Sequence, residues 1–349
     1  MLKQGKVLII HGGGLVDCSK QVLLRIALQL YNIFEDVYLG HFSFEALYNK
    51  KFWERYTPYY ETTLQAKRGT YFGTCRDIII EGDKLVRAIK LLKKEGITTI
   101  VVCGGDGSAR QVHEMYQEFE KVGINIVFAV PLTIDGINGG VSLGIEQARI
   151  ETVRQIENMA ATSLETRDNE KFGVLCAEIQ GRNRDDITAE TLKYFDVRGK
   201  VADRTLDELN LIVVPANIKT VPEKLYKAIN SSEKRTLVLL SEGAEIKISD
   251  IKANTNRKVR SVVIGHQSQS NNHTTVSDLH IINDWAIHVR YFMEGRRDKS
   301  FCIRKEVRYC GDNYSVESID YYAKLNPRKN QITELPEELK ELICSYMAK

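Results

Sequence analysis

The chain has 349 residues, which is enough to bury a large core and to form two lobes. Its 49 basic and 46 acidic residues leave a formal net charge of +3, which gives no support for a nucleic-acid or membrane role. The seven cysteines are scattered without a CxxC pair, and no signal peptide or apolar run of about 18 residues is present, so we expect a soluble cytoplasmic protein with reduced thiols.

Strand-like and helical patterns alternate along the chain. Helical spacing is clear from about Lys84 to Glu95, where Gly96 is the expected C-terminal cap. Continuous apolar runs predict strands at 7–10, 98–103, 124–130, 173–179, 211–214, 236–240 and 261–264. Such runs are typical of parallel sheets that are buried on both faces. We therefore predict an α/β fold of doubly wound, mostly parallel sheets.

Two regions do not follow this alternation. Residues 35–72 are rich in aromatic side chains and are predicted to be irregular. The segment after about Arg296 is charged and rich in tyrosine, and its last helix, predicted at 334–347, either packs on the body or serves an interface. The long helical pattern at 144–163 is the expected crossover between lobes. We predict one lobe at 1–137 plus about 268–298, a second at 138–267 plus about 299–325, and a helical tail at 326–349.

The stretch 101–108 is the most informative part of the sequence. An apolar run ends in Gly-Gly-Asp-Gly-Ser, so a buried strand stops at a turn with almost no side chains. Backbone N–H groups can approach an anion closely there, and the helix starting near Ser108 directs its positive end to the same point. Asp106 adds a carboxylate that can hold Mg²⁺ against a phosphate.

A second strand end repeats this design. The predicted strand at 124–130 runs into Thr133-Ile134-Asp135, which leaves a hydroxyl and a carboxylate at the strand end. The run Gly12–Gly14 follows the first predicted strand, where it forms either an ordinary tight turn or a phosphate loop. Turns of this kind at the carboxyl ends of neighbouring strands predict a phosphoryl-transfer site.

These motifs resemble the phosphofructokinase family in order and spacing. Further matches, within roughly 5–295, are Gly73-Thr74-Cys75-Arg76, Gln180-Gly181-Arg182, Ser241-Glu242-Gly243 and Ile264-Gly265-His266. The resemblance implies two doubly wound lobes, of which the first binds the nucleotide and the second the acceptor, with the active site between them. It also implies ATP- and Mg²⁺-dependent phosphoryl transfer to a hydroxyl of a sugar or sugar phosphate, in a homodimer or homotetramer that shares the acceptor site. Two alternatives are a true 6-phosphofructokinase with a remodelled phosphate pocket and a catalytically impaired relative with a regulatory or scaffolding role.

The same resemblance implies a role for each matched residue. Asp135 would accept or orient the proton of the attacking hydroxyl, Thr133 would bond to the transferring phosphoryl group, and Arg182 would stabilise its charge. The implied nucleotide contacts are Gly13, Arg76, Gly105, Asp106, Gly107 and Ser108, with Asp106 also holding Mg²⁺. The implied acceptor contacts are Gln180, Glu242, Arg260, His266 and Gln269, with Arg260 reaching in from a neighbouring subunit. Ordinary interpretations remain open, such as a helix cap for Asp135 and surface charges for Arg76, Glu242 and Arg260.

The nucleotide side departs from the family at one acidic position. A second acidic residue is expected two positions after Asp135, but Ile137 stands there and no Asp or Glu occurs before Glu146. We therefore expect Mg²⁺ to be held weakly. Gly107 and Leu132 favour ATP over pyrophosphate, because family members that use pyrophosphate tend to carry Asp and Lys at these positions.

The acceptor side has lost two cations of the family. A phosphate-binding arginine is replaced by Gln269, and a second subunit-crossing arginine by Gly173, with Lys171 as a possible substitute. Each charge-assisted hydrogen bond contributes about 1.5–3 kcal/mol. We therefore expect poor use of fructose 6-phosphate and better use of an acceptor whose distal group is neutral or differently placed.

Overall fold

The computed structural model describes residues 3–14, 16, 18–59, 71–75, 79–134, 143–163, 167–168, 171–181, 185–201, 209–265, 276–295, 300–308, 311–319 and 337–348. The chain divides into two compact units. Unit 1 consists of Met1–Gln147 and Gln269–Gln331, and unit 2 consists of Ala148–Ser268 and Ile332–Lys349. Within the described ranges, no helix combines the length and apolarity that crossing a membrane requires.

The described strands and helices alternate through most of the chain. In chain order they are β1 (Lys6–Gly12), α1 (Ser19–Leu30), β2 (Val37–Gly40), β3 (Trp53–Arg55), α2 (Gly82–Glu95), β4 (Ile97–Gly104), α3 (Asp106–Lys121), β5 (Asn125–Pro131), α4 (Ile145–Ser163), β6 (Arg167–Asp168), β7 (Lys171–Phe172), β8 (Val174–Ile179), α5 (Asp186–Val201), β9 (Leu209–Val214), α6 (Pro222–Ser231), β10 (Arg235–Ser241), α7 (Ile248–Asn254), β11 (Val259–Ile264), α8 (Val276–Gly295), β12 (Ser300–Arg308), β13 (Gly311–Ile319) and α9 (Glu337–Tyr346). Gly96 ends α2 in the left-handed conformation, as predicted for a C-terminal cap.

Unit 1 is built on a five-stranded sheet with the order β3-β2-β1-β4-β5. Strands β2, β1, β4 and β5 are parallel, which confirms the predicted sheet type, and only β3 runs antiparallel to its neighbour β2. The prediction that residues 35–72 are irregular was wrong for β2 and β3. Strands of four and three residues are too short to produce a recognisable alternation of apolar and polar residues.

Both faces of the unit 1 sheet are covered, as its continuous apolar strands predict. Val7 and Ile9 of β1 belong to the apolar core shared with α1 and α8. Leu8 and Ile10 belong to the core shared with α2 and α3. Because successive residues of a strand point to opposite faces, a strand between two helical layers must be apolar throughout. Burying each such aliphatic side chain contributes about 1.5–3 kcal/mol.

Unit 2 is built on a four-stranded, fully parallel sheet with the order β11-β8-β10-β9. Apolar residues of β8, β9 and β10 pack on α6 and α7 through Leu225, Ile229 and Ile251. The C-terminal helix α9 lies against α5 and β9, and the Tyr346 hydroxyl donates a hydrogen bond to the Asp196 carboxylate. The predicted tail helix therefore packs on the body of unit 2.

The chain passes from unit 1 to unit 2 within α4, and residues 138–147 are grouped with unit 1. Strands β12 and β13 form an antiparallel hairpin. This hairpin is also grouped with unit 1, where it lies close to β5 and α8. The predicted lobes grouped both segments with the second lobe. The assignment of one lobe to nucleotide and the other to acceptor stays a prediction.

Each sheet has one place where the connections leave neighbouring strands in opposite directions. The connection after β1 leads to β2, whereas the connection after β4 leads to β5 on the other side. In unit 2 the connection after β8 leads to β9, whereas the connection after β10 leads back past β8 to β11. Ligands of open α/β sheets bind in the crevice that forms beyond the carboxyl ends of such strand pairs. The two sheets therefore predict one ligand crevice in each unit.

Candidate functional site

The crevice of unit 1 lies at the glycines that end β1 and β4, which pack against Ser108 of α3. Gly12 at the end of β1 pairs with Gly104 at the end of β4. A Cβ atom on Gly104 would lie 2.5 Å from the Gly12 carbonyl oxygen and 2.5 Å from Ser108 Oγ. Ser108 is buried against both glycines, and its Oγ would lie 2.3 Å from a Cβ atom on Gly12. Both strand ends therefore require glycine, because a Cβ atom at either position would clash with Ser108.

Helix α3 begins in this cradle. Gly105 is its N-cap, no side chain caps the first turn, and the Ser108 and Ala109 amides bond to the Gly105 carbonyl. A Cβ atom on Gly107 would meet nothing within 4 Å, so the space beside the first turn is open. Uncapped N–H groups and the positive end of the helix make this start suitable for a phosphate.

The predicted metal carboxylate stands at the start of the same helix. The backbone of Asp106 forms the first residue of α3, and the position of its side chain lies outside what the structure describes. In the described part of the chain, no three His, Cys, Asp or Glu residues group as metal ligands. A single carboxylate beside a phosphate cradle fits Mg²⁺, which binds proteins through one or two carboxylates and substrate phosphates.

The loop that carries Arg76 reaches this cradle. Cys75 forms an isolated antiparallel bridge with Gly13, directly after the end of β1. Gly73 has a φ of 64° and packs so tightly that a Cβ atom there would lie 2.8 Å from the Phe42 ring. Arg76 itself lies outside the described residues, but its neighbour places the predicted Gly-Thr-Cys-Arg turn beside the first glycine turn.

Thr133 lies next to the glycine turn of β4. A Cβ atom on Gly105 would be 3.4 Å from Thr133 Oγ1. The end of β5 is held there by two backbone hydrogen bonds, from Leu132 to Gly104 (2.8 Å) and from Thr133 to Leu143 (3.2 Å). The sequence predicted that these two strand ends meet, and the structure confirms it for Thr133. Asp135 lies outside the described residues.

His11 is a feature of this site that the sequence analysis missed. It precedes Gly12 at the end of β1, opposite Cys103 of β4, and is fully buried. Neither ring nitrogen has a hydrogen-bond partner among the described residues. Burial lowers the pKa of His11 from 6.5 to about 4, so the imidazole is neutral near pH 7. A polar residue between the apolar run Val7–Ile10 and Gly12 was the available sequence signal.

The crevice of unit 2 brings three predicted acceptor segments together. The Gln180 amide donates to the Ile264 carbonyl (3.1 Å), and the Glu242 amide donates to the Ile179 carbonyl (2.9 Å). Glu242 Oε2 accepts a hydrogen bond from the Gly181 amide at 3.0 Å. Gly181 has a φ of 139°, which only glycine adopts readily, so the turn after β8 depends on this residue. Gln180 and Glu242 thus meet where sheet topology predicts a ligand.

The remaining acceptor residues are placed differently. Arg260 is exposed on β11, an edge strand, and stands four residues before Ile264, which is about 13 Å along the strand. It does not join Gln180 and Glu242 at the carboxyl edge of its own sheet. Arg182, His266 and Gln269 lie outside the described residues.

Unit 2 also contains a buried carboxylate that the sequence analysis did not single out. Asp185 stands directly before α5 and is 1% exposed. The donors to its carboxylate lie 31 to 56 residues away in the sequence. An acidic residue before a helix reads as an N-cap, so local sequence could not have revealed these partners.

A comparison with protein-family models matches residues 6–289 to the phosphofructokinase model. The match covers most of the chain and includes both crevices. The chain belongs to the phosphofructokinase family. The resemblance inferred from the glycine turns is thereby confirmed.

Curated relatives in the phosphofructokinase family include two bacterial examples. The chain is 24% identical over 265 residues to ATP-dependent 6-phosphofructokinase 2 of Clostridium perfringens, which covers 70% of this chain and 66% of the relative. It is 32% identical over 171 residues to the ATP-dependent 6-phosphofructokinase of Staphylococcus epidermidis. This alignment covers 47% of this chain and 46% of the relative. The aligned part of this chain thus spans about half to two thirds of these relatives.

Solved structures of the phosphofructokinase family share the fold. Pyrophosphate-dependent phosphofructokinase from Marinobacter aquaeolei superposes with a TM-score of 0.75 at 15% identity, covering 99% of this chain and 92% of that chain. Phosphofructokinase from Pichia pastoris gives a TM-score of 0.70 at 16% identity, covering 99% of this chain and 39% of the Pichia chain. The predicted α/β class with doubly wound, mostly parallel sheets is confirmed.

Proposed function

We propose that this chain is an ATP-dependent phosphotransferase that transfers the γ-phosphoryl group of ATP to a hydroxyl of a sugar or sugar phosphate. The observation that carries this proposal is the glycine cradle formed by the ends of β1 and β4 and the start of α3. The space beside Gly107 is open to a ligand, and the start of α3 supplies N–H groups and a positive dipole. Together with the family membership, this cradle supports binding of a polyphosphate.

ATP is the proposed donor because of two positions near the cradle. The open space beside Gly107 leaves room for a nucleotide phosphate. Leu132 is buried in the core of unit 1, so this position offers no cation to a pyrophosphate. Both bacterial relatives are named as ATP-dependent, whereas the Marinobacter structure is named as pyrophosphate-dependent, so the donor needs a direct test.

The proposed chemistry relies on positioning and electrostatics, as phosphoryl transfer generally does. Asp135 orients the acceptor hydroxyl and takes its proton as the new phosphate ester bond forms. Thr133, next to Gly105, donates a hydrogen bond to the transferring phosphoryl group, and Arg182 stabilises the charge on it. Asp106 would hold Mg²⁺, which screens the charge of the nucleotide phosphates when it is bound.

Glu242 and Gln180 are the proposed contacts to the acceptor. The Glu242 carboxylate is oriented by the Gly181 amide, and carboxylate oxygens suit the hydroxyls of a polyhydroxylated ligand. Gln269 and Gly173 replace two cations of the family. We infer that the preferred acceptor has a neutral distal group, with His266 contributing a further polar contact.

We also propose a homodimer or homotetramer. Arg260 is exposed and displaced from the carboxyl edge of its own sheet. We infer that Arg260 reaches an acceptor bound by another subunit, which is the role that the family resemblance implies.

A screen of ADP release tests the proposed function. Purified protein with ATP and Mg²⁺ is assayed against sugars, polyols, sugar phosphates and nucleosides, with fructose 6-phosphate as the reference acceptor. We expect turnover with a neutral sugar or polyol that exceeds turnover with fructose 6-phosphate. Efficient use of fructose 6-phosphate at micromolar KM would contradict the altered acceptor, and no turnover with any acceptor would favour the regulatory alternative, to which Ile137 at the second acidic position points.

The variant Asp135→Asn identifies the chemistry behind any turnover. It should lower kcat by about 100-fold or more, because it removes the group that takes the hydroxyl proton. Its dissociation constant for ATP, measured by calorimetry, should stay within a few fold of wild type. Near-normal kcat would exclude Asp135 from the mechanism.

A further inference from the structure

Asp185 is a buried carboxylate at the carboxyl end of the unit 2 sheet that the proposed chemistry does not use. It is 1% exposed and stands four residues after Gly181. Burying a carboxylate is unfavourable unless hydrogen bonds satisfy its oxygens. The groups that satisfy Asp185 therefore indicate its role.

Four donors converge on the two oxygens of Asp185. Oδ1 accepts from the Ala216 amide at 2.7 Å and from Ser241 Oγ at 2.6 Å. Oδ2 accepts from the backbone and side-chain amides of Asn217, both at 3.2 Å. Three of these donors are amide N–H groups, which carboxylate oxygens accept. The connection after β9 and the end of β10 are thus tied to the segment between β8 and α5.

The hydroxyl of Ser241 is held from two sides. Ser241 Oγ donates to Asp185 Oδ1 and also lies within hydrogen-bond distance, 2.9 Å, of Thr188 Oγ1. Both hydroxyl groups and the carboxylate are buried, which strengthens hydrogen bonds by excluding water. Ser241 is therefore fixed at the last position of β10.

The next residue along the chain is the proposed acceptor contact Glu242. Its amide donates to the Ile179 carbonyl, and its Oε2 atom accepts from the Gly181 amide at 3.0 Å. The direction of the Glu242 side chain depends on the backbone at Ser241, which Asp185 holds.

We propose that Asp185 is a positioning residue for the acceptor crevice, which holds Ser241 so that the neighbouring Glu242 carboxylate keeps its orientation toward the Gly181 amide. The inference rests on the proposed function, in which Glu242 binds the acceptor. Asp185 itself does not contact the acceptor.

The variant Asp185→Asn tests the proposal. Asparagine has almost the same shape, but one of its oxygens becomes an NH₂ group that cannot accept the hydrogen bonds directed at it. We expect the KM for the best acceptor to rise about tenfold, the fold-change of one lost charge-assisted hydrogen bond, with the KM for ATP within about twofold. An unchanged acceptor KM would overturn the proposal.

Arg257→Met is the matched control for a loss of stability in unit 2. Arg257 is a buried guanidinium that donates to the carbonyls of Gly173 and Lys234, near the amino ends of β8 and β10. The substitution should lower the melting temperature and leave the acceptor KM within about twofold of wild type, since it acts at the opposite end of these strands. An equal rise of acceptor KM in both variants would reduce Asp185 to a general stability role.

Ser241→Ala provides a second route, which also serves if Asp185→Asn fails to fold. It removes the link to Glu242 and leaves the other bonds of Asp185 in place, so the acceptor KM should rise in the same way. The double variant should raise the acceptor KM no more than the more impaired single variant does, because Asp185→Asn and Ser241→Ala break the same linkage. If the two increases in acceptor KM multiplied in the double variant, the proposed route from Asp185 through Ser241 to Glu242 would be contradicted.

Hydrogen exchange separates this inference from the proposed function. The Gly181 amide should exchange faster in Asp185→Asn than in wild type, and at the wild-type rate in Arg257→Met, after correction for global stability. This readout needs no turnover. If no acceptor were found, the proposed function would fail, and the exchange rate would still decide whether Asp185 orients Glu242, with unchanged exchange counting against it.

Discussion

The buried imidazole of His11 predicts a specific acid weakness of unit 1. His11 lies directly before the glycine turn of β1, with both ring nitrogens unpaired among the described residues, and burial lowers its pKa from 6.5 to about 4. Between pH 6.5 and pH 4, His11 is protonated in the unfolded chain and neutral in the folded chain. The free energy of unfolding is therefore unaffected by His11 above about pH 6.5, and it decreases as the pH falls toward 4.

The magnitude follows from the two pKa values. At 1.36 kcal/mol per pKa unit, the full loss by pH 4 is about 3 kcal/mol, and by pH 5 it is about 2 kcal/mol. The variant His11→Phe keeps a ring of similar size and cannot take up a proton. Its stability relative to wild type should therefore improve by about 2 kcal/mol between pH 8 and pH 5.

Tryptophan fluorescence during urea unfolding measures this difference. The chain contains two tryptophans, Trp53 and Trp285, and both belong to unit 1, where His11 lies. The comparison at pH 8 isolates the packing effect of the larger ring, because the imidazole is neutral in both states there. If wild type and His11→Phe lost the same stability from pH 8 to pH 5, the inference that folded His11 is buried and neutral would be wrong.

Four further predictions concern the proposed site and its surroundings. Asp106→Ala should lower Mg²⁺-dependent turnover by about 100-fold or more, measured across a Mg²⁺ titration, and full activity would remove Asp106 as the metal carboxylate. Gly107→Asp should raise the KM for ATP about 100-fold by like-charge repulsion at an unchanged melting temperature, since a Cβ atom there meets nothing within 4 Å. The contrasting Leu132→Lys should lower the free energy of unfolding by about 2–5 kcal/mol, because it places an ammonium group in the core. Arg260→Ala should raise the acceptor KM about tenfold and spare the ATP KM, and equal effects on both would argue against a role at the acceptor.

The nucleotide crevice could be predicted from sequence because its determinants are local. Glycines after an apolar run signal a strand that ends in an open turn, and Gly12, Gly104 and Gly105 occupy such turns in the structure. Parallel strands align their carboxyl ends, so Thr133 was expected beside Gly105 and lies there. The order of these motifs along the chain was sufficient to indicate the family.

Other features depend on contacts that no local pattern records. Strands β2 and β3 are too short to show a period, and they form because β1 offers an edge to β2 and β2 offers one to β3. The bridge between Gly13 and Cys75 joins residues about 60 positions apart, so only the folded chain places the loop before Arg76 at the cradle.

The sequence by itself determined the alternation of strands and helices, the two sheets and the glycine turns, because apolar periodicity and backbone freedom act over a few residues. Tertiary structure decided which polar groups are buried and what satisfies them. His11 loses its proton because the sheet and its helices exclude water. Asp185 is stable only because Ala216, Asn217 and Ser241 arrive from three other segments. Desolvation and hydrogen bonding are set by the neighbours that folding supplies, and no spacing along the chain specifies them.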